Sequence, residues 1–309
     1  MEKHWRNYFR LGINHHLLFP ASFESADVHE ATLPRVLSMP EFEVVDLFIL
    51  EGGEREKRLT EMILSGGKEV VYNCPLMTGP GLNPHSPDRE TVRRTKELLR
   101  VHLDRAKAVK AKFAVIASGV DPGADQREEH TERFVDYVAE ACAYAAEGQP
   151  LQLVIEPFDR GIGKNLLIGP SAEALRVVEE VRKRGHSNIG ILLDMGHVPI
   201  MEESFEQAVS TLGPHIRHVH LGNCVKKNPA DPLYGDMHPP WGYPGGENDV
   251  EETAEFLKCL FAAGFLGEGR RPTVTFEMRP YAGLTEEESV RIFLEKLDKA
   301  WEIVWRDEA

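Results

Sequence analysis

The sequence predicts an α/β fold, a (β/α)8 barrel, from three observations. Eight short apolar runs alternate with long amphipathic stretches across 309 residues, with no linker-like or low-complexity break. The runs are mostly continuous Val, Ile and Leu, the pattern of parallel strands buried on both faces. Alternating helices then cover the sheet, and eight repeats close it into a barrel. Four of the runs end on a carboxylate or imidazole, and barrels of this type carry their sites at the C-terminal strand ends. A doubly wound open sheet is the alternative; the missing GxGxxG after the first run weighs against it. Barrels reach this length as one unit. Residues 1–309 are therefore expected to form one domain with a long loop at 222–248.

In chain order, strands are expected at 10–14, 44–49, 69–73, 113–117, 151–156, 190–194, 215–220 and 273–277. Helical patterns fill 89–109, 128–147, 171–184 and 250–264. Ser171 can cap the third of these and Gly185 can end it, because a hydroxyl accepts from free N–H groups and glycine tolerates the left-handed turn. The last helix, 286–304, opens on Glu286, Glu287 and Glu288, which suit the positive end of its dipole.

Composition narrows the function classes. The formal net charge is −14, which argues against a nucleic-acid surface, since phosphate neutralisation needs clustered Lys and Arg. The densest basic spot, Arg182-Lys183-Arg184, reads as a helix C-terminus. Cys74, Cys142, Cys224 and Cys259 lie far apart without a CxxC pair, and read as reduced thiols. The opening Met1-Glu2-Lys3-His4-Trp5-Arg6 lacks the basic-then-apolar run of a signal peptide. No stretch approaches the roughly 18 apolar residues of a membrane span. A cytoplasmic protein acting on a small molecule is expected, with no nucleic-acid or membrane partner; a homo-oligomer is left open.

The four ligand-type endings are Glu156, Asp194, His220 and Glu277. A charged group costs several kcal/mol to bury unless it is paired or coordinates a metal. Two Glu, one Asp and one His form a hard-to-borderline ligand set, suited to Mn²⁺ first, or to Mg²⁺, Co²⁺ or Zn²⁺. Each residue also has a plainer reading. Glu156, biased to an extended backbone by Pro157, can sit at a strand end paired with Arg160. Asp194, before Met195-Gly196-His197, can cap a helix. Glu277 can pair with Arg279. His218 and His220 share one strand face; His220, nearer the mouth, is the better ligand, and His218 packs or supports it.

The connection at 222–248 is long for a compact domain, and such loops are usually functional. Asp236 and His238 in it can hold a second metal or form a surface ion pair. Trp241 and Tyr243 can wall a polar substrate or pack the loop down.

Taken together, Ile155-Glu156-Pro157, Leu193-Asp194-Met195-Gly196-His197, His218-Val219-His220-Leu221-Gly222 and Phe276-Glu277 resemble the xylose isomerase-like barrel superfamily, in particular its sugar isomerase/epimerase branch. That branch includes ketose 3-epimerases and inosose dehydratases. The Asp-to-His interval, 220 − 194 = 26, is typical of it. The resemblance implies that Glu156, Asp194, His220 and Glu277 are metal ligands and that the two glutamates are catalytic. It implies substrate contact by His197 and, at the position where ketose epimerases place an arginine, by Lys226. Arg279 and Trp241 are further substrate-binding candidates. The expected activity is a metal-dependent isomerase or epimerase of a sugar or related polyhydroxy carbonyl compound, working through an enediolate. A dehydratase or lyase of a keto-sugar or inosose is the alternative; a non-catalytic sugar-binding barrel or complex subunit is the rival from another class. Endonuclease IV-type repair enzymes share the superfamily, and Asp236 with His238 fits their Asp-x-His pair. Here, however, the third and fourth strands close on Tyr72-Asn73-Cys74-Pro75 and Ala117-Ser118-Gly119, without ligand histidines.

Overall fold

The computed structural model describes residues 4–306; Met1-Glu2-Lys3 of the N-terminal reading lies outside them. Eight strands form a closed parallel barrel: β1 (Arg10–Asn14), β2 (Val44–Leu47), β3 (Glu69–Asn73), β4 (Phe113–Ile116), β5 (Gln152–Ile155), β6 (Ile189–Asp194), β7 (Ile216–Gly222) and β8 (Thr273–Glu277). Each strand pairs with the next, and β1 pairs with β8 from Arg10↔Thr273 to Ile13↔Phe276. The open-sheet alternative is thereby excluded.

Two apolar layers hold the barrel. Val44, Val71, Phe113, Val115, Val154 and Leu192 fill its interior. A larger cluster packs strand residues such as Val45, Ile155, Leu193 and Phe276 against the surrounding helices. The continuous apolar runs follow from this, since both faces of every strand are out of water.

Several ends differ from expectation. β5 stops at Ile155, although the Glu156 N–H still donates to the Ile116 carbonyl at 3.0 Å; Pro157 then has no N–H to continue the ladder. β2 stops at Leu47 because side chains replace the neighbouring strand. Phe48 N–H donates to His16 Nε2 (3.3 Å), and Ile49 N–H donates to the Tyr72 hydroxyl (3.2 Å). Ser171 does not cap the helix Ser171–Lys183, whose N-cap is Pro170. Its hydroxyl and N–H both donate to Glu203 instead. Gly185 does follow the end of that helix, at φ +98°. All four cysteines are free. Among the described residues no helix is long and apolar enough to cross a membrane.

The connection after β7 is pinned down rather than loose. Val225 and Gly235 form an antiparallel bridge across it. The buried Asn223 accepts at Oδ1 from Asn248 N–H (2.8 Å) and donates to the Pro240 carbonyl (3.1 Å). Trp241, fully buried, packs edge-on against Phe276 at 5.5 Å and donates to the Gly222 carbonyl.

Candidate metal centre

Glu156 just past β5, Asp194 ending β6, His220 in β7 and Glu277 ending β8 converge at the C-terminal mouth. Each offers one ligand atom, and these atoms all lie within 4.8 Å of one another. His220 Nδ1 is 2.5 Å from Glu277 Oε2 and 3.8 Å from Glu156 Oε1. All four side chains are buried. Yet Asp194 Oδ2, His220 Nδ1 and Glu277 Oε2 make no well-formed hydrogen bond, the last two facing each other only as a close ion-pair contact. Buried polar atoms without partners are rare in folded proteins. Three carboxylates and one imidazole, with one ligand atom each drawn together in this way, fit a hard-to-borderline divalent cation.

Electrostatics point the same way. Burial, and then the Glu277 charge, push the Glu156 carboxyl well above its usual range, and burial also raises Asp194. Glu277 goes the other way: burial opposes its charge, but His220 and His238 outweigh that and hold it ionised. Two imidazoles of the cluster are affected in turn. Burial disfavours their charged forms, but Glu277 and Asp46 raise His220, and Asp236 and Asp194 raise His197.

Fixed groups orient these side chains. Asp194 Oδ1 accepts the Gly196 N–H at 2.7 Å and so holds the turn after β6; it does not cap the helix His197–Ile200, whose N-cap is Gly196 without a side-chain bond. Gly222 is obligatory opposite: a Cβ there would lie 2.4 Å from Asp194 Oδ1. Asn14 donates to Glu277 Oε1 at 2.8 Å. Asp46 joins β2 to β7 and β8, lying 2.9 Å from His220 Nε2 and 3.1 Å from His218 Nε2 and accepting from Thr275 Oγ1 at 2.6 Å. His218 is therefore a supporting group below His220. Asp46 was missed from the sequence; the signal was an isolated acid inside Val44-Val45-Asp46-Leu47, which a strand buried on both faces tolerates only when the acid is satisfied.

The loop supplies a second group. Asp236 and His238 form no surface pair: they fold inward, Asp236 Oδ1 lying 2.9 Å from His238 Nε2 and 3.1 Å from His197 Nε2. His197 Nε2 is 3.3 Å and His238 Nδ1 3.8 Å from Asp194 Oδ2. Asp194 thus touches both clusters. His238 Nδ1 is also buried without a hydrogen bond, and Asp236 Oδ2 has only the Lys164 ammonium, 3.5 Å away.

Above these groups lies a cavity of about 240 Å³, lined on one side by Leu17, Phe23 and Phe48 and on the other by Glu156, His197, Asp236, His238, Glu277 and Arg279. Lys226 is not among its lining; its Nζ is spent on the Pro199 carbonyl (3.0 Å). Trp241 does not line it either, because its indole is consumed in packing the loop onto Phe276. Tyr243 donates its hydroxyl to Asp231, also within the loop. The cavity's lysine is Lys164, which the sequence reading passed over. Nor is either glutamate tied to its neighbouring arginine: Arg160 pairs with Glu173, while Arg279 donates through Nε to the Met237 carbonyl at 2.8 Å.

Fold and cluster together describe a closed (β/α)8 barrel with a buried carboxylate–imidazole centre at its C-terminal mouth. Residues 68–267 match the xylose isomerase-like TIM barrel family, and the chain belongs to it. A stretch of 105 residues, 34% of this chain, is 32% identical to the D-psicose 3-epimerase of Ruminiclostridium cellulolyticum, covering 32% of that enzyme. The D-psicose 3-epimerase of Agrobacterium fabrum is 32% identical over 80 residues, 26% of each chain. These matches span about a third or less of the curated relatives. Solved structures align over nearly the whole chain. A D-tagatose 3-epimerase-like protein superposes with a TM-score of 0.71 at 19% identity, over 97% of this chain and 100% of that one. An L-ribulose 3-epimerase does so at 0.69 and 17%, over 97% and 98%. An AP endonuclease, family 2, from Brucella melitensis reaches 0.63 at 18%, over 93% and 98%. At such identities the likeness is one of fold.

Proposed function

We propose that this chain is a divalent-cation-dependent isomerase or epimerase of a sugar or related polyhydroxy carbonyl compound. The observation that carries the reading is the convergence of Glu156, Asp194, His220 and Glu277 with spare, buried ligand atoms. The D-psicose 3-epimerase relatives support the substrate class. These four residues would hold the cation, Mn²⁺ first. A cation there supplies Lewis-acid polarisation of a carbonyl and its neighbouring hydroxyl, easing loss of the proton on the carbon between them.

The protein's own groups then move that proton. Glu156, just past β5, and Glu277, at the end of β8, would flank the bound substrate and serve as acid and base on its opposite faces. A carboxylate has two oxygens, so each could hold the cation through one and exchange a proton through the other. Return to the same carbon inverts it, giving an epimer; return to the neighbouring carbon interconverts ketose and aldose. His197, whose ring lies 4.5 Å from that of Phe158, borders the cavity where substrate hydroxyls would lie.

Asp194, His197 and His238 support a second reading of the centre, in which these three residues would hold a further cation. Cation titration of the purified protein separates the two: a single tight site per chain, or two with one lost in His238→Ala.

The activity test is turnover of ketoses by Mn²⁺-loaded protein, with products identified by NMR. A new epimer or aldose supports the proposal. A folded, cation-loaded protein inert on ketoses and on keto-sugars as dehydration substrates would overturn it, and would leave the binding-protein alternative.

A further inference from the structure

Two cationic side chains line the cavity, and both are held by the same short piece of the loop after β7. Arg279 donates through Nε to the Met237 carbonyl, and its own N–H donates to the His238 carbonyl at 2.8 Å. Its terminal guanidinium nitrogens have no partner, and no carboxylate lies within ion-pairing distance of them among the described residues. Burial lowers the Arg279 pKa from its ordinary value, against the opposing charge of Asp236. Lys164 reaches the adjacent residue, with Nζ 3.4 Å from the Asp236 carbonyl and 3.5 Å from Asp236 Oδ2.

Lys164 is placed there by construction. The buried Asp159 carboxylate accepts four consecutive backbone N–H groups, from Gly161 (2.9 Å), Ile162 (2.6 Å), Gly163 (2.7 Å) and Lys164 (2.8 Å). A Cβ on Gly163 would lie 2.9 Å from the Asp236 backbone nitrogen, so only glycine lets this turn close on the loop. A rigid turn and the segment after β8 therefore bring a lysine and an arginine to neighbouring residues of one loop. The nearby Asp236 charge only partly offsets the burial of this half-buried arginine, so a ligand anion that meets the guanidinium is favoured.

We infer that Arg279 and Lys164 form an oxyanion-binding end of the cavity, so that the substrate is a polyhydroxy carbonyl compound bearing a terminal phosphate or carboxylate. This rests on the proposed sugar chemistry and separates the chain from enzymes of uncharged ketoses. A guanidinium held through Nε keeps its two terminal amino groups for bidentate contact with such an anion, and Lys164 adds a point charge.

The test uses three ketoses that differ only at carbon 6: D-fructose, D-fructose 6-phosphate and D-fructuronate. In the Mn²⁺-loaded protein, kcat/KM for one of the two anionic sugars should exceed that for D-fructose by at least about tenfold, and which one wins identifies the anion. In Arg279→Gln that ratio should fall by roughly 10–100-fold, the effect of losing a charge-assisted contact, mostly through KM. Arg279→Lys should restore part of it, and Lys164→Gln should lower it as well. A purely structural arginine would lower the thermal midpoint and damage all three substrates alike, leaving the ratio where it was; that result overturns the inference. Should none of the three turn over, the thermal shift each sugar induces decides. Stabilisation by an anionic sugar that Arg279→Gln abolishes supports the oxyanion end, while equal shifts for charged and neutral sugars, or none, refute it.

Discussion

Asp46 Oδ2 stands 2.9 Å from His220 Nε2, which leaves His220 Nδ1 turned toward Glu277 and the centre. Asp46 is fully buried, and its carboxyl stays ionised because His218 and His220 outweigh the cost of burial. It thereby selects the ring nitrogen available to a cation, acting through His220 rather than on substrate. Asp46→Asn is expected to weaken cation affinity by about 10–100-fold, the usual cost of losing a group that orients a ligand. Calorimetric titration with Mn²⁺ checks this, with circular dichroism confirming the fold.

Removal of a ligand is expected to have a larger effect. Asp194→Asn or His220→Ala should lose most bound cation, since each leaves the remaining groups short of a full set. Elemental analysis after dialysis reads this directly. Full occupancy in both variants would sink the assignment of the centre.

Proton transfer by the two glutamates should be visible as isotope exchange. In D₂O the enzyme is expected to place deuterium on the carbon next to the carbonyl. Glu156→Gln and Glu277→Gln should each cut turnover by roughly 10²–10⁴-fold, the range of general acid–base catalysis. Exchange that survives in one variant while product formation stops would assign each glutamate to its face. Absence of any deuterium in the wild-type product would remove both from that role and favour hydride shift.

An acid-sensitive cluster lies beside β1. His29 is buried with neither ring nitrogen partnered, next to His15 and His16. Burial above all lowers His16 to about 3 and His29 to about 4. Both stay neutral in the fold but bind protons near 6.5 once unfolded. Their contribution to stability is thus complete above about pH 6.5 and is lost progressively as pH falls toward 4 and then 3. Denaturant midpoints measured from pH 7 to 4.5 should drop, and the drop should be shallower in His29→Leu.

Trp241 holds the long loop from beneath. Its truncation to alanine should cost about 3–5 kcal/mol, as for other fully buried tryptophans. Because Asp236 and His238 ride on that loop, cation binding or turnover should suffer along with the thermal midpoint. Stability lost without any functional change would detach the loop from the site.

The eight strands and the four converging side chains were legible in the chain alone. A strand buried on both faces must be apolar throughout, so each run is visible locally, and a ligand that ends such a run stands out against it. Chain order then suffices to bring the ends of β5 to β8 to one mouth, because a closed parallel barrel leaves them nowhere else to go. Other features depended on contacts between segments far apart in sequence. Only packing chose Lys164 over Lys226 for the cavity, by spending one on the Pro199 carbonyl and holding the other on the Asp159 turn. Only packing sent Trp241 into the core, carried Asp236 and His238 from a polar loop to Asp194, and set Asp46 behind His220. Periodicity records whether a residue is buried; which partner meets it there is decided by how the loops and strands close around it.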